Sequence, residues 1–139
     1  MNIVMLNVWG KIKELINRPY IVESGSNANG SYIKWSNGTM ICTGKKTFQS
    51  VAVTQTWGNI NTCGDTNSLT FNNFAKEFAE IPIVNVSAIA YPNTSGNFWL
   101  CTSLSNLVTK NNPGAYQICR GTPGTMNFVL SYVAIGPWK

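Results

Sequence analysis

The sequence predicts an all-β protein, an antiparallel β-sandwich preceded by one short N-terminal helix. Three observations carry this. Short strand-like runs recur at close spacing along most of the chain with no helices between them, which argues a sandwich or barrel. Charged residues are only 11% of the 139, against about a quarter in an average domain. The polar remainder is Asn, Ser, Thr and Gly, residues that suit turns and strand surfaces. Third, the run from Phe128 to Lys139 reads as a strand that is apolar on both faces. Phe128, Leu130, Tyr132 and Ala134 fall on one side, and Val129, Ser131, Val133 and Ile135 on the other. Two packed sheets cover only one face of each strand, so the second face is expected to meet another subunit.

Residues 1–18 form the one helical candidate. The expected organisation is therefore a helical oligomerisation stub over 1–18 and a β-sandwich domain over 19–139. Met1, Met5, Val8, Ile12 and Leu15 follow the 4-3-4-3 spacing of a short coiled-coil seam, and Trp9 and Ile16 widen it. Pro19 ends the helix, because the residue before a proline is driven out of the α region. A helix this short is marginal in water. It must pack on its own β-domain or on copies of itself, and the seam favours copies.

The strands then follow in order. Ile21–Glu23 is extended, and Ser24–Gly30 is a Gly/Ser/Asn connector. Tyr32–Ser36 and Thr39–Thr43 flank Asn37-Gly38, the signal of a type I′ hairpin turn. Ser50–Trp57 alternates as a further strand, Gly58–Asn67 is a polar loop, and Leu69–Phe71 is a short strand. Asn72–Glu80 is a candidate helical turn. Pro82–Ala90, Asn97–Ser103, Tyr116–Arg120 and Thr125–Ile135 complete the set, with turns at Tyr91–Gly96 and Asn111–Gly114.

Several function classes are disfavoured. There is no histidine, so Ser-His-Asp, Cys-His and histidine-ligated zinc machinery are excluded as normally built. Glu77 and Glu80 are the only close carboxylates, and a glycosidase needs two set across a sugar at a defined separation. The protein is therefore expected not to be an enzyme and to use no cofactor or metal. Asp65 with Asn61 and Asn67 is a thin calcium candidate, short of the usual carboxylates. No apolar stretch is long enough to span a membrane, so no membrane insertion is expected, and the N-terminus lacks the order of a signal peptide. Net charge is +5, but the ten basic residues are scattered. This diffuse field favours anionic surfaces without choosing among them. Cys42, Cys63, Cys101 and Cys119 match no dense disulfide scaffold; they are expected to be reduced, although four cysteines allow three pairings.

Three segments in order carry a resemblance. They are the hairpin Asn29-Gly30-Ser31-Tyr32-Ile33-Lys34-Trp35-Ser36-Asn37-Gly38-Thr39-Met40-Ile41-Cys42, the strand Phe78-Ala79-Glu80-Ile81-Pro82-Ile83-Val84-Asn85-Val86-Ser87, and the terminus Tyr132-Val133-Ala134-Ile135-Gly136-Pro137-Trp138-Lys139. Together they resemble the C-terminal receptor-binding knob of bacteriophage and prophage tail fibres, over residues 29 to 139. Pro137 stands where that family often has a basic residue. The resemblance implies a trimeric β-sandwich knob, related in architecture to trimeric H-type lectins. It also implies a bacterial surface receptor as partner, a glycan being expected, together with the rest of a tail fibre. Its place would be the virion, at the fibre tip, after synthesis in the bacterial cytoplasm and release by lysis. The shaft would be absent or belong to another chain.

Aromatic and amide side chains are the expected ligand-binding groups, because a pyranose offers an apolar face to a ring and hydroxyls to Asn and Arg. The candidates are Trp57, Tyr91, Trp99 and Tyr116, near Asn59, Asn93, Asn97 and Arg120. Trp99 and Tyr116 are equally readable as core, since most strand aromatics pack. Trp35 reads as core and Trp138 as interface. Two alternatives stand beside this one. One is a purely structural fibre-cap subunit. The other is an OB-like module binding single-stranded nucleic acid through Tyr32, Lys34, Trp35, Lys45, Lys46 and Phe48; nucleic acid is the less expected partner.

Overall fold

Alternating faces along the strands resolve into two antiparallel sheets. The computed structural model describes residues 3–64, 67–91, 97–103 and 107–139. Among them are one helix, α1 (Ile3–Ile16), and ten strands. These are β1 (Ile21–Asn27), β2 (Gly30–Trp35), β3 (Thr39–Val53), β4 (Gln55–Trp57), β5 (Ile60–Thr62), β6 (Leu69–Thr70), β7 (Ile83–Ala90), β8 (Trp99–Thr102), β9 (Ala115–Arg120) and β10 (Gly124–Pro137). One sheet has the order β1-β2-β3-β10-β7, and the other the order β4-β5-β9-β6, with β8 also paired to β9. The architecture is the expected all-β sandwich. It is not the barrel on which an OB-type module is built.

The core lies between the sheets. β10 pairs with β3 from Gly124 to Pro137 and with β7 from Phe128 to Ile135. Its inward residues Met126, Phe128, Leu130, Tyr132 and Ala134 are buried, as are Met40, Cys42, Val51 and Val53 of β3. Ile118 and Leu69 face them from the second sheet. The outer side of β10 is uncovered, with Val133 and Ile135 about half exposed at 46% and 45%.

Five local expectations change. Asn37-Gly38 does turn the chain, but not as type I′, which needs positive φ at both residues. Among the described residues other than glycine only Ser50 has positive φ, while Gly38 sits at 93°. Gly38 N–H donates to Trp35 O at 3.0 Å and the Asn37 carboxamide accepts from Thr39 N–H at 3.0 Å, a tight turn closed by glycine. The connector Ser24–Gly30 is mostly strand, because Gly25 gives the Tyr32 ring room: a Cβ there would lie 2.9 Å from it. The expected strand Thr39–Thr43 and the first part of Ser50–Trp57 are joined in β3, and the remainder of the latter is β4. Even-numbered residues face the core up to Phe48 and odd-numbered ones from Val51, because a bulge inserts one residue. Ser50 takes the positive φ of that bulge, 53°, and its N–H donates to Asn127 Oδ1 at 2.7 Å. Asn72–Glu80 is not helical; it lays Phe74 and Phe78 into the core. The loop Gly58–Asn67 contains the short strand β5.

Every side chain described on α1 is exposed, including the seam residues Met5, Val8, Ile12 and Leu15. The alternative in which the helix docks on its own β-domain is therefore not seen. Where α1 meets the sandwich, Tyr20 and Ser36 exchange hydrogen bonds: Ser36 N–H to Tyr20 O at 2.8 Å, and Tyr20 N–H to Ser36 Oγ at 3.1 Å. The C-terminus closes the same end, with Trp138 Nε1–H on Trp35 O at 2.9 Å. Trp138 packs partly buried against its own chain's core.

Candidate functional site

The outer face of the second sheet holds a groove of about 500 Å³, lined by Gln55, Thr56, Trp57, Thr62, Gly64, Cys101, Thr102 and Gln117. Alternation places it. Gln55 and Trp57 lie two apart on β4 and so share a face. Gln55 pairs with Thr62, Thr62 with Cys119, and Cys119 with Trp99, so one cross-strand row runs over four strands. Trp57 stands 65% exposed on the β4 side, and Trp99 44% exposed on β8. The volume lies within the roughly 300–1,000 Å³ of small-molecule sites.

The described lining residues are uncharged and held in place. Thr62 Oγ1–H donates to Gln117 Oε1 at 2.8 Å. Gly64, at φ 72°, lets the Gln55 carboxamide lie directly against the backbone; a Cβ there would clash with Gln55 Oε1. The groove thus offers the Trp57 ring beside two carboxamides and threonine hydroxyls, with Trp99 exposed further along the same row. In the floor, Cys101 Sγ lies 3.3 Å from Cys119 Sγ. All four cysteines are free thiols, and burial pushes the Cys119 thiol up to about 11.

The candidates named from sequence divide. Trp57 lines the groove and Trp99 shares its row. Asn59 is exposed in the β4–β5 turn, beside Trp57. Tyr91, 54% exposed, follows β7, and its N–H donates to Asn127 O at 2.9 Å. Asn97 is exposed before β8. Asn93 and Asp65 lie outside the described residues. Tyr116 and Arg120 are corrected. Both face inward on β9, at 6% and 7% exposure, with Tyr116 edge-on to Phe71 and bonded through its hydroxyl to Pro113 O at 3.1 Å. A side chain committed to the core cannot meet a surface ligand. Gln55, Thr62, Gly64, Cys101, Thr102 and Gln117 were missed. The Gln-x-Trp alternation marks Gln55, but the others depend on cross-strand pairings that composition does not reveal.

Two of the nucleic-acid candidates, Lys34 and Tyr32, are otherwise engaged. Lys34 is buried on Glu23 at 2.6 Å, and Tyr32 Oη–H donates to the same carboxylate at 2.7 Å. Lys34, Tyr32 and Lys76 together hold the Glu23 carboxyl down at about 2.

No protein-family model matches the sequence, and no curated protein does. Solved structures do match. The chain is similar to an N-truncated R1-type pyocin tail fibre with TM-score 0.53 at 14% identity, over 91% of this chain and 94% of that one. It is also similar to a P. aeruginosa R1 pyocin fibre comprising C-terminal residues 323-701, with TM-score 0.51 at 15% identity. That match covers 83% of this chain and 28% of the fibre chain. The shared feature at this identity is the fold.

Proposed function

We propose that this chain is the receptor-binding tip of a phage or phage-like tail fibre, acting as a homotrimer, with the tryptophan groove holding a glycan of the bacterial surface. The observation that carries this reading is the groove itself: exposed Trp57 beside Gln55, Gln117 and threonines. Rings that cover a sugar's apolar face, next to carboxamides that meet its hydroxyls, are lectin-like chemistry. Among the described residues the lining carries no carboxylate, which supports binding rather than glycoside hydrolysis as the reading.

The polarity of the molecule supports a tip. β3 starts beside the end of α1 and runs 15 residues to the strand that bears Trp57. At about 3.3 Å per residue this separates the helix from the groove by up to roughly 45 Å. Tyr91 follows the β7 end that pairs with Phe128, also away from the helix. A shaft at α1 would leave Trp57, Asn59 and Tyr91 at the far end.

A row of isoleucines supports the trimer. Ile33 pairs with Ile41, Ile41 with Ile135, and Ile135 with Ile83, all on the outer face of the first sheet. Ile83 is 81% exposed. This row lies at the same end as the unpartnered seam of α1, so one threefold contact would cover both.

The test is binding to immobilised bacterial envelope polysaccharides by the wild type and by Trp57→Ala with Trp99→Ala. Saturable binding by the wild type, lost in a folded double variant, is expected. Equal binding by the two proteins would remove the groove from the function.

A further inference from the structure

A second cavity, of about 270 Å³, lies at the lateral edge of the sandwich, away from the groove. It is lined by Ala28, Asn29, Lys45, Lys46, Thr47, Phe71, Asn72 and Tyr132. Two glycines shape it. Gly44 lets the β1–β2 turn cross β3, since a Cβ there would lie 2.7 Å from Asn29 O, and a Cβ at Gly30 would strike Thr43 O. The pairing of β2 with β3 stops at Thr43. From Gly44 onward β3 is an edge on that side, and the long stems of Lys45 and Lys46 can reach the same hollow.

Its charge is one-sided. Lys46 Nζ–H donates to Thr70 O at 2.8 Å and to Asn72 Oδ1 at 3.1 Å. Both acceptors are neutral, so the ammonium is positioned without being neutralised, and one of its three donors remains. The ion pairs among the described residues involve Arg18, Lys34 and Lys76. Lys45 and Lys46 form none, and among the described residues no carboxylate lines the cavity.

We infer that this cavity binds a phosphate-type anion, the phosphomonoester of a saccharide, with Lys45 and Lys46 as its counter-charges. Asn29, Asn72 and Thr47 supply neutral donors around the phosphoryl oxygens. The apolar walls Phe71 and Tyr132 lower the local dielectric, which strengthens the pairing. The saccharide as carrier rests on the receptor reading above; the anion site does not. Lysines on an edge strand also guard against strand addition, and the experiment separates the two roles.

The test is isothermal titration of the full chain with glucose 6-phosphate, inorganic phosphate and glucose, at about 20 and 200 mM salt, straddling strong and weak screening. One site per chain for glucose 6-phosphate, none for glucose, and weaker binding at high salt are expected. Lys45→Gln and Lys46→Gln should each weaken binding about fivefold, the size of one exposed ion pair, while Trp57→Ala should not change it. The Lys45 side chain makes no hydrogen bond among the described residues, so Lys45→Gln reports on the site even where Lys46→Gln loosens the fold. Inorganic phosphate binding as tightly as the sugar phosphate would overturn the saccharide as ligand. No binding, or binding indifferent to both lysines, would overturn the site and leave edge protection as their role. Loss of polysaccharide binding in the tryptophan variant with this titration intact would fault neither site.

Discussion

Ile83 and Phe128 are large apolar residues on adjacent strands of one sheet, facing opposite ways, and truncating each separates folding from association. Phe128 is fully buried and edge-on to Phe98, with ring centroids 5.2 Å apart. Phe128→Ala is expected to cost about 3–5 kcal/mol, a large part of the roughly 5–15 kcal/mol that holds a domain together. Ile83 is already 81% exposed, so Ile83→Ser should change the single chain's stability by no more than about 0.5 kcal/mol. Covering such a side chain is worth about 1.5–3 kcal/mol. If three copies bury the remaining four fifths, the substitution costs each roughly 1–2.5 kcal/mol, or about 4–7 kcal/mol per trimer. That weakens the assembly constant by at least about 10³-fold. Light scattering over a dilution series reads the mass, expected at three times 15.2 kDa for the wild type. Urea unfolding of each variant reads the fold. The reasoning fails if Ile83→Ser keeps the wild-type mass at every concentration, or unfolds as readily as Phe128→Ala.

Three further outcomes are expected. Trp57→Ala should leave the melting temperature unchanged and weaken glycan binding about tenfold, a loss of about 1.4 kcal/mol; a melting shift without a binding loss would make Trp57 structural. Glu23 is held at about 2, against an ordinary 4.5, so its contribution is complete above pH 4.5 and is lost as pH falls toward 2. Melting should drop through that window in the wild type and less in Glu23→Gln, and parallel curves would discount the Lys34–Glu23–Tyr32 cluster. In protein kept reduced, Ellman's reagent at pH 8 should find one fast thiol per chain, the half-buried Cys101. Burial pushes Cys42 and Cys119 to about 11, leaving about one thiolate in a thousand; two or more fast thiols would contradict this.

The sheet content and most strand positions were legible because strand periodicity is local: Ile83–Ala90 and Phe128–Ile135 announce both faces in sequence. The bulge at Ser50 was not. A phase slip of one residue looks identical to a strand end, so β3 was divided in two. Gly25 misled in the opposite way, since its role is to admit Tyr32 from the neighbouring strand, which turn statistics cannot anticipate. At the candidate groove, the exposure of Trp57 was legible from its place before Gly58, whereas the burial of Tyr116 was not. The alternation of β9 shows that Tyr116 and Arg120 share a side, but only packing of the second sheet says that the side is inward. Gln117, on the opposite side, lines the groove for the same reason.

The proposed function divides labour between the two ends of the long strands, and this makes its parts separable. A single shallow sugar site reaches about millimolar affinity, near −4 kcal/mol. Three such sites on one symmetric tip can gain about 10²-fold to 10⁴-fold in avidity on a dense surface. The isoleucine row would then govern how many grooves meet the surface, and Trp57 how tightly each one holds. Ile83→Ser should therefore cut adhesion to a polysaccharide-coated surface while leaving the affinity for a soluble oligosaccharide intact. Trp57→Ala should lower both without changing the mass. If one variant moved all three quantities together, the helix-proximal contact and the groove would be one coupled structure rather than two devices on different sheets at opposite ends of the molecule.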